Sequence, residues 1–141
     1  MDIQDLIRSD RKLITEDHLN NMIDLCARVS ILEKACGLMF RVTSGYRSKD
    51  DHERIYSDIN KKRLARAKEP LRIPWGSAHL SGQAVDVLDM DLSIQKWVLG
   101  SVALLEENKI WCEDFAYTSK TVAWVHFQSR PPKSGKRFFV P

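Results

Sequence analysis

Two histidines and one aspartate occur in a pattern that suits a metal ion. His79 and Asp86 lie on either side of Gly82, and His126 follows much later, within the sequence Trp-Val-His-Phe-Gln. Zinc accepts nitrogen and carboxylate ligands in a tetrahedral arrangement, and a catalytic zinc keeps its fourth position for water or substrate. Two imidazoles and one carboxylate, with no obvious fourth ligand, therefore predict an open zinc site.

The residues around these three form a longer pattern. Residues 77–86 are Ser-Ala-His-Leu-Ser-Gly-Gln-Ala-Val-Asp, with Ser-Gly-Tyr-Arg before them at 44–47 and Trp-Val-His-Phe after them at 124–127. In this order the motifs resemble those of the zinc D-Ala-D-Ala carboxypeptidases and of the phage L-alanoyl-D-glutamate endopeptidases. The resemblance implies a Hedgehog/DD-peptidase-like fold, a cell-wall stem peptide as substrate, and zinc bound by His79, Asp86 and His126.

The same resemblance gives roles to two further residues. Arg47 matches an arginine that faces the substrate or the developing oxyanion, a role that suits a permanently charged, rigid fork of donors. Ser77 matches a hydroxyl that contacts substrate, although a turn residue bonding the local backbone is an equal alternative. Gly82 is expected to give the backbone freedom between the two ligands.

The usual catalytic carboxylate is missing. Three residues before the last histidine, the carboxypeptidases carry Glu and the phage enzymes Asp, whereas this chain has Ala123. The nearest acids upstream are Glu113 and Asp114, on the strand predicted to precede that of His126. Because facing residues of neighbouring strands lie roughly 5 Å apart, we hypothesise that Glu113 or Asp114 serves as the general base.

Helices around these motifs are predicted from caps and apolar spacing. Thr15 suits an N-cap and Gly37 a C-terminal stop, and the stripe between them comprises Leu19, Met22, Ile23, Cys26, Val29 and Leu32. Ser48 predicts the N-cap of a second helix that ends before Pro70. A third helix follows the possible caps at 89–93, with an apolar stripe of Ile94, Trp97, Val98, Val102 and Leu105.

Strands are predicted at 38–43 and 84–88, the second carrying Asp86 inward. A hairpin is predicted from 110–116 and 122–128, joined around 117–120, with four residues of its second strand on one face: Val122, Trp124, His126 and Gln128. Phe138 and Phe139 should hold the tail against the body. The elements predict an α+β domain, helices packed on a small, mainly antiparallel sheet.

The local sequence indicates the surroundings of three other residues. His18 and His52 fall among charged residues on predicted helices, so we expect both on the surface. Trp75 lies in a loop with two prolines that leads into the His79 motif. It would contact either the substrate or the core.

Composition restricts the setting. With 141 residues, 43% hydrophobic and 29% charged, the chain suits one domain, residues 1–141. Three cysteines without a C-x-x-C pair indicate reduced thiols. We find no signal-peptide pattern and no apolar run near the ~20 residues of a membrane span. We therefore expect a cytoplasmic monomer, reaching the wall after release or carried in a virion.

Three functions compete. The first is a zinc-dependent peptidoglycan peptidase, from a phage or prophage, that cuts a D-Ala-D-Ala or an L-Ala-D-Glu bond. The second is a non-catalytic zinc-binding domain that binds the wall or builds a virion, which Ala123 favours. The third is nucleic-acid binding through the basic run at 61–68, but its charges are not interleaved with aromatic residues. We expect no nucleic-acid partner; that run is a solvated helix face or attracts anionic wall polymer.

Overall fold

The computed structural model describes residues 1–7, 14–118 and 123–141. Within them the helices are α1 (Ile3–Leu6), α2 (Glu16–Cys36), α3 (Lys49–Ala65), α4 (Ser93–Leu99), α5 (Val102–Glu107) and α6 (Phe115–Thr118). The strands are β1 (Val42–Ser44), β2 (Ala84–Leu88), β3 (Trp111–Glu113), β4 (Trp124–Gln128) and β5 (Phe138–Phe139). A 3₁₀ helix, Ala78–Ser81, precedes β2.

The strands form one sheet in the order β1-β2-β4-β3-β5. The first three pairings are antiparallel, and β5 pairs with β3 in parallel. This confirms the α+β class with a mainly antiparallel sheet. It also confirms that the tail is held to the body, because Phe138 and Phe139 form β5.

Helix α2 begins and ends where its caps predicted. The Thr15 hydroxyl accepts the backbone N–H of His18, and Gly37 ends the helix in the left-handed conformation, with φ of 73°. A residue without Cβ adopts that conformation at little cost, so the helix stops there.

The buried face of α2 differs from the predicted stripe. Four residues of the helix are fully buried: Met22, Leu25, Val29 and Leu32. Leu19 and Ile23, which were predicted to be buried, are 37% and 51% exposed. The face of the helix that packs into the core is therefore rotated away from Leu19 and Ile23 and toward Leu25.

The predicted strand at 38–43 is shorter in the structure. Only Val42–Ser44 pairs as β1, and Leu38 at the start of the predicted strand is 40% exposed. Phe40 and Val42 pack into the core.

The predicted third helix is in fact two. It breaks into α4 and α5 at Gly100. The Asp89 carboxylate accepts the N–H groups of Ile94 and Gln95, which confirms a cap in this stretch.

The predicted hairpin contains a helix. Strands β3 and β4 are antiparallel neighbours as expected, but α6 takes the place of the end of the predicted first strand. The Asp114 carboxylate accepts the N–H of Ala116 at 2.9 Å and so caps α6. Residues 119–122, with part of the predicted turn and Val122, lie outside the described residues.

The prediction of a surface His52 is wrong. Its side chain is fully buried, and its Nε2 lies 3.1 Å from the carbonyl oxygen of Pro74. The loop before the 3₁₀ helix covers it, a long-range contact that local charge does not reveal. His18 is half-buried. Trp75 is 51% exposed, with its ring centroid 5.8 Å from that of His52, so the core alternative is wrong.

No helix in the described part of the chain has both the length and the apolar character to cross a bilayer.

Candidate metal centre

The pairing of β2 with β4 brings two of the three candidate ligands together. Asp86 lies directly opposite His126 in the register, and the two side chains share one face of the sheet. The Nδ1 atom of His126 lies 2.8 Å from Oδ1 of Asp86. The third ligand, His79, comes from the 3₁₀ helix, with its Nε2 3.3 Å from Oδ2 of Asp86. One ligand atom from each residue lies within 4.8 Å of the others.

The backbone fixes which nitrogen of His79 faces the site. Its Nδ1 lies 2.8 Å from the carbonyl oxygen of Gly45. A carbonyl oxygen only accepts, so Nδ1 carries the proton and donates it, and the lone pair is on Nε2. A ligating imidazole is typically oriented in this way through its second nitrogen.

Both glycines beside the site lie where a larger residue would clash with the backbone. A Cβ at Gly45 would lie 2.5 Å from the carbonyl oxygen of Leu6, and one at Gly82 would lie 2.8 Å from that of His18. Gly82 also has a φ of 73°, which confirms the backbone freedom predicted between the two ligands.

The electrostatics of the cluster favour a cation. Burial alone would raise the pKa of Asp86, but the two imidazoles outweigh it and hold that pKa well below its usual range. For His126, burial acts to lower the pKa, and the hydrogen bond and charge of Asp86 overcome it, so the pKa is raised. The cluster thus stabilises positive charge at the point where the ligand atoms converge.

Arg47 reaches the same point, and its contact with a substrate stays a prediction. Its guanidinium Nη2 lies 3.5 Å from Oδ2 of Asp86, and its Nε donates to the Ser44 hydroxyl at 2.9 Å. The backbone N–H of Arg47 donates to the carbonyl oxygen of His79. The loop at 44–47 and the 3₁₀ helix are therefore tied together on either side of the cluster.

Ser77 is the N-cap of the 3₁₀ helix. Its hydroxyl accepts the N–H of His79 at 3.4 Å, which is the turn role considered for it. It also lines the cleft described next. Contact between Ser77 and a substrate stays a prediction.

The cluster lies in a cleft of about 1030 Å³. One wall is α3 and the loop after it, which contribute Ile55, Tyr56, Ile59, Leu71 and Pro74. The segment after β4 also lines the cleft, with residues 130–134 and 139–141. The volume lies at the upper limit of the range of small-ligand sites, and a short peptide fits that scale.

Residues 15–133 match the family VanY, D-alanyl-D-alanine carboxypeptidase. The chain belongs to this family. Membership implies a peptidase that acts on peptidoglycan, and the family is typically metal-dependent. The resemblance to carboxypeptidases is confirmed, whereas the phage endopeptidase subtype stays a prediction. No curated protein and no solved structure matches the chain.

The donor set of this VanY-family chain fits zinc. Two neutral imidazole nitrogens and one carboxylate oxygen are ligands that zinc takes, and three of them leave a position open. The sequence assigned these ligands, and the structure brings all three together.

The two candidate bases lie in different surroundings. Glu113 lines the cleft, and burial raises its pKa although the positive charges of His126, His79 and Arg47 oppose the rise. The antiparallel register pairs Cys112 with Phe127, so the next residues along the two strands, Glu113 and His126, face each other. Asp114 is not among the residues that line the cleft, and its carboxylate caps α6. The placement favours Glu113, whose catalytic role stays a prediction.

The sequence motifs assign no functional role to two residues of the cleft, Tyr56 and Gln128. Tyr56 lines the cleft from α3, and burial is the main cause of its raised pKa. Gln128 bonds the second nitrogen of His126 at 3.0 Å. For Gln128 the sequence did carry a signal, since strand alternation put it on the face of His126.

Proposed function

We propose that this protein is a zinc-dependent peptidase that hydrolyses a stem-peptide bond of peptidoglycan. The observation that carries the proposal is the convergence of His79, Asp86 and His126 at a cleft in a VanY-family chain. Zinc bound by these three residues would polarise the scissile carbonyl and lower the pKa of its water.

We assign the general base to Glu113. It would take a proton from the attacking water and pass it to the leaving amine. Its position in line with His126 and at the cleft supports the role, because a base must lie within hydrogen-bond reach of the proton that it takes. It would stand in for the carboxylate that the family pattern places at position 123.

We assign substrate binding to Arg47 and Ser77. The Arg47 guanidinium, already held by Ser44, can present two parallel N–H donors to the carbonyl oxygen or to a terminal carboxylate of the peptide. Ser77 can donate its hydroxyl to the peptide while still accepting the N–H of His79.

Two bonds remain candidates, D-Ala-D-Ala for a carboxypeptidase and L-Ala-D-Glu for an endopeptidase. The family match supports the first, and the motif resemblance to phage enzymes supports the second. That resemblance is also the support for a phage or prophage lysin. We further propose a monomer made in the cytoplasm, consistent with three free cysteines, Cys26, Cys36 and Cys112.

Mass spectrometry of purified peptidoglycan after incubation with the zinc-loaded protein tests the activity. Loss of a terminal alanine would identify the carboxypeptidase, and a new amino terminus on D-Glu the endopeptidase. Chelated protein and His79→Ala should give neither product. Unchanged peptidoglycan over a range of pH, with zinc shown to be bound, would reject the proposal.

A wall-binding or virion domain without catalysis is the second candidate. Ala123 favours it, since the usual carboxylate is absent from that position. The basic run of α3 and the loop after it, including the exposed Lys61, Lys62, Arg66 and Lys68, would give such a domain a surface for anionic polymer. Sedimentation of the protein with peptidoglycan, without product, would favour this function.

A further inference from the structure

A hydrogen-bonded chain runs from His126 away from the metal centre. The Nδ1 atom of His126 faces Asp86 at 2.8 Å, and its Nε2 lies 3.0 Å from Oε1 of Gln128. The side-chain NH2 of Gln128 donates to the backbone carbonyl oxygen of Arg130. His126 and Gln128 are 5% and 6% exposed, so water has little access to these groups.

The hydrogen bond between Gln128 and Arg130 determines the protonation of the His126 ring. A backbone carbonyl oxygen only accepts, so Gln128 must turn its NH2 group toward Arg130 and its Oε1 toward His126. That oxygen in turn only accepts, so Nε2 of His126 must carry a proton. In the neutral ring the lone pair is then on Nδ1, the nitrogen that faces Asp86.

The carbonyl at the far end is itself held. The guanidinium of Arg130 donates to the carbonyl oxygen of Gly76, in the loop that leads to the 3₁₀ helix. This bond joins the segment after β4 to that loop, and both segments line the cleft.

We propose that Gln128 is a positioning residue for the metal centre: it selects the tautomer and the ring orientation of His126 that offer Nδ1 as the ligand atom. Gln128 acts through His126 and needs no contact with substrate. The inference rests on the proposed metal centre and adds a residue to it. Loss of such an outer partner typically weakens metal binding by about 10–100-fold.

Two variants and a control separate this role from general damage. Gln128→Met keeps the side-chain length but removes both hydrogen bonds. Gln128→Glu keeps an acceptor for His126 and loses the donor to Arg130. The control is Gln83→Met: Gln83 also accepts one hydrogen bond through its amide oxygen, from the Ser81 hydroxyl at 2.8 Å, but that bond does not reach His126.

The readouts are the zinc dissociation constant, from competition with a chelator, and the ¹⁵N chemical shifts of the His126 ring in zinc-loaded protein. For Gln128→Met we expect zinc affinity to fall by about 10–100-fold. We expect Gln128→Glu and Gln83→Met to stay within about tenfold of wild type, with the wild-type ring shifts, because neither removes the His126 acceptor.

Wild-type zinc affinity in Gln128→Met, or an equal loss in Gln83→Met, would overturn the inference. If Gln128→Met does not fold, Gln128→Glu carries the test, and a His126 ring bound through Nε2 would then overturn it. Zinc affinity is measured without substrate, so the two proposals can fail separately. A protein that binds zinc and depends on Gln128 but cuts no wall peptide would reject the proposed function alone.

Discussion

Asp86 and His126 lie opposite each other across β2 and β4, with 2.8 Å between Oδ1 and Nδ1. A slip of one residue between these strands would move one of the two side chains to the other face of the sheet. Val85 and Val87 on one strand and Val125 and Phe127 on the other are fully buried, so the core holds the register. The packing of the sheet therefore sets the geometry of the candidate metal centre.

Asp86→Asn should abolish tight zinc binding. An apparent zinc-binding free energy of about 10–16 kcal/mol is shared among a few ligands, and about 1.4 kcal/mol corresponds to tenfold. We therefore expect the dissociation constant to rise by at least about 100-fold. Chelator competition measures it, with Asp58→Asn, an exposed aspartate on α3, as the control. Zinc affinity unchanged by Asp86→Asn would remove Asp86 from the ligand set.

Glu113→Gln should lower kcat and leave zinc affinity near wild type. General-base catalysis typically contributes about 10²–10⁴-fold, so we expect a loss of that order. Asp114→Asn is the matched control, because the neighbouring carboxylate caps α6 and does not line the cleft. Rates of product formation from peptidoglycan measure both. A loss of kcat in Asp114→Asn but not in Glu113→Gln would assign the base to Asp114. Full activity in both variants would exclude both carboxylates as the general base.

The sequence predicted the clustering of the three candidate ligands and the ends of α2, because both follow from recognisable sequence patterns. Motif spacing identified His79, Asp86 and His126, and capping residues identified Thr15 and Gly37. Neither needs information about distant parts of the chain.

The choice between Glu113 and Asp114 as the general base does not depend on local patterns alone. Alternation along a strand puts successive side chains on opposite faces, but which face meets His126 depends on the register between β3 and β4. That register comes from packing over a long range, so the sequence left both candidates open. The burial of His52 under the loop at Pro74 was missed for the same reason.

Gly45→Ala should destabilise the protein. The added Cβ would lie 2.5 Å from the Leu6 carbonyl oxygen, and backbone atoms can move away only by distorting the loop that holds His79. Overpacking of this kind costs about 1–3 kcal/mol of unfolding free energy. Urea denaturation measures it, and Gly76→Ala is the control, since a Cβ there meets nothing within 4 Å. Equal stabilities of the two variants would show that the loop at Gly45 can move to accept the Cβ without cost.

His52 should make the protein less stable as the pH falls. Burial is the main cause of its lowered pKa, and its Nδ1 is buried without a hydrogen-bond partner among the residues that the structure describes. An unfolded imidazole has a pKa of about 6.5. Below that pH the unfolded chain therefore binds more protons at His52 than the folded chain, and the free energy of unfolding declines. The contribution of His52 is complete above about pH 6.5 and is lost as the pH drops toward its folded-state pKa, by at most about 1.4 kcal/mol per pH unit.

His52→Gln isolates that effect. Its amide can donate to the Pro74 carbonyl oxygen as Nε2 of His52 does, but it does not titrate. His126, whose pKa is raised, contributes in the opposite direction, and it is present in both proteins. Urea denaturation between pH 7.5 and 5.5, with chelator throughout, should show a steeper loss of stability for wild type than for His52→Gln. Parallel pH profiles would mean that the pKa of His52 is the same in the folded and unfolded states, and the burial argument would be wrong.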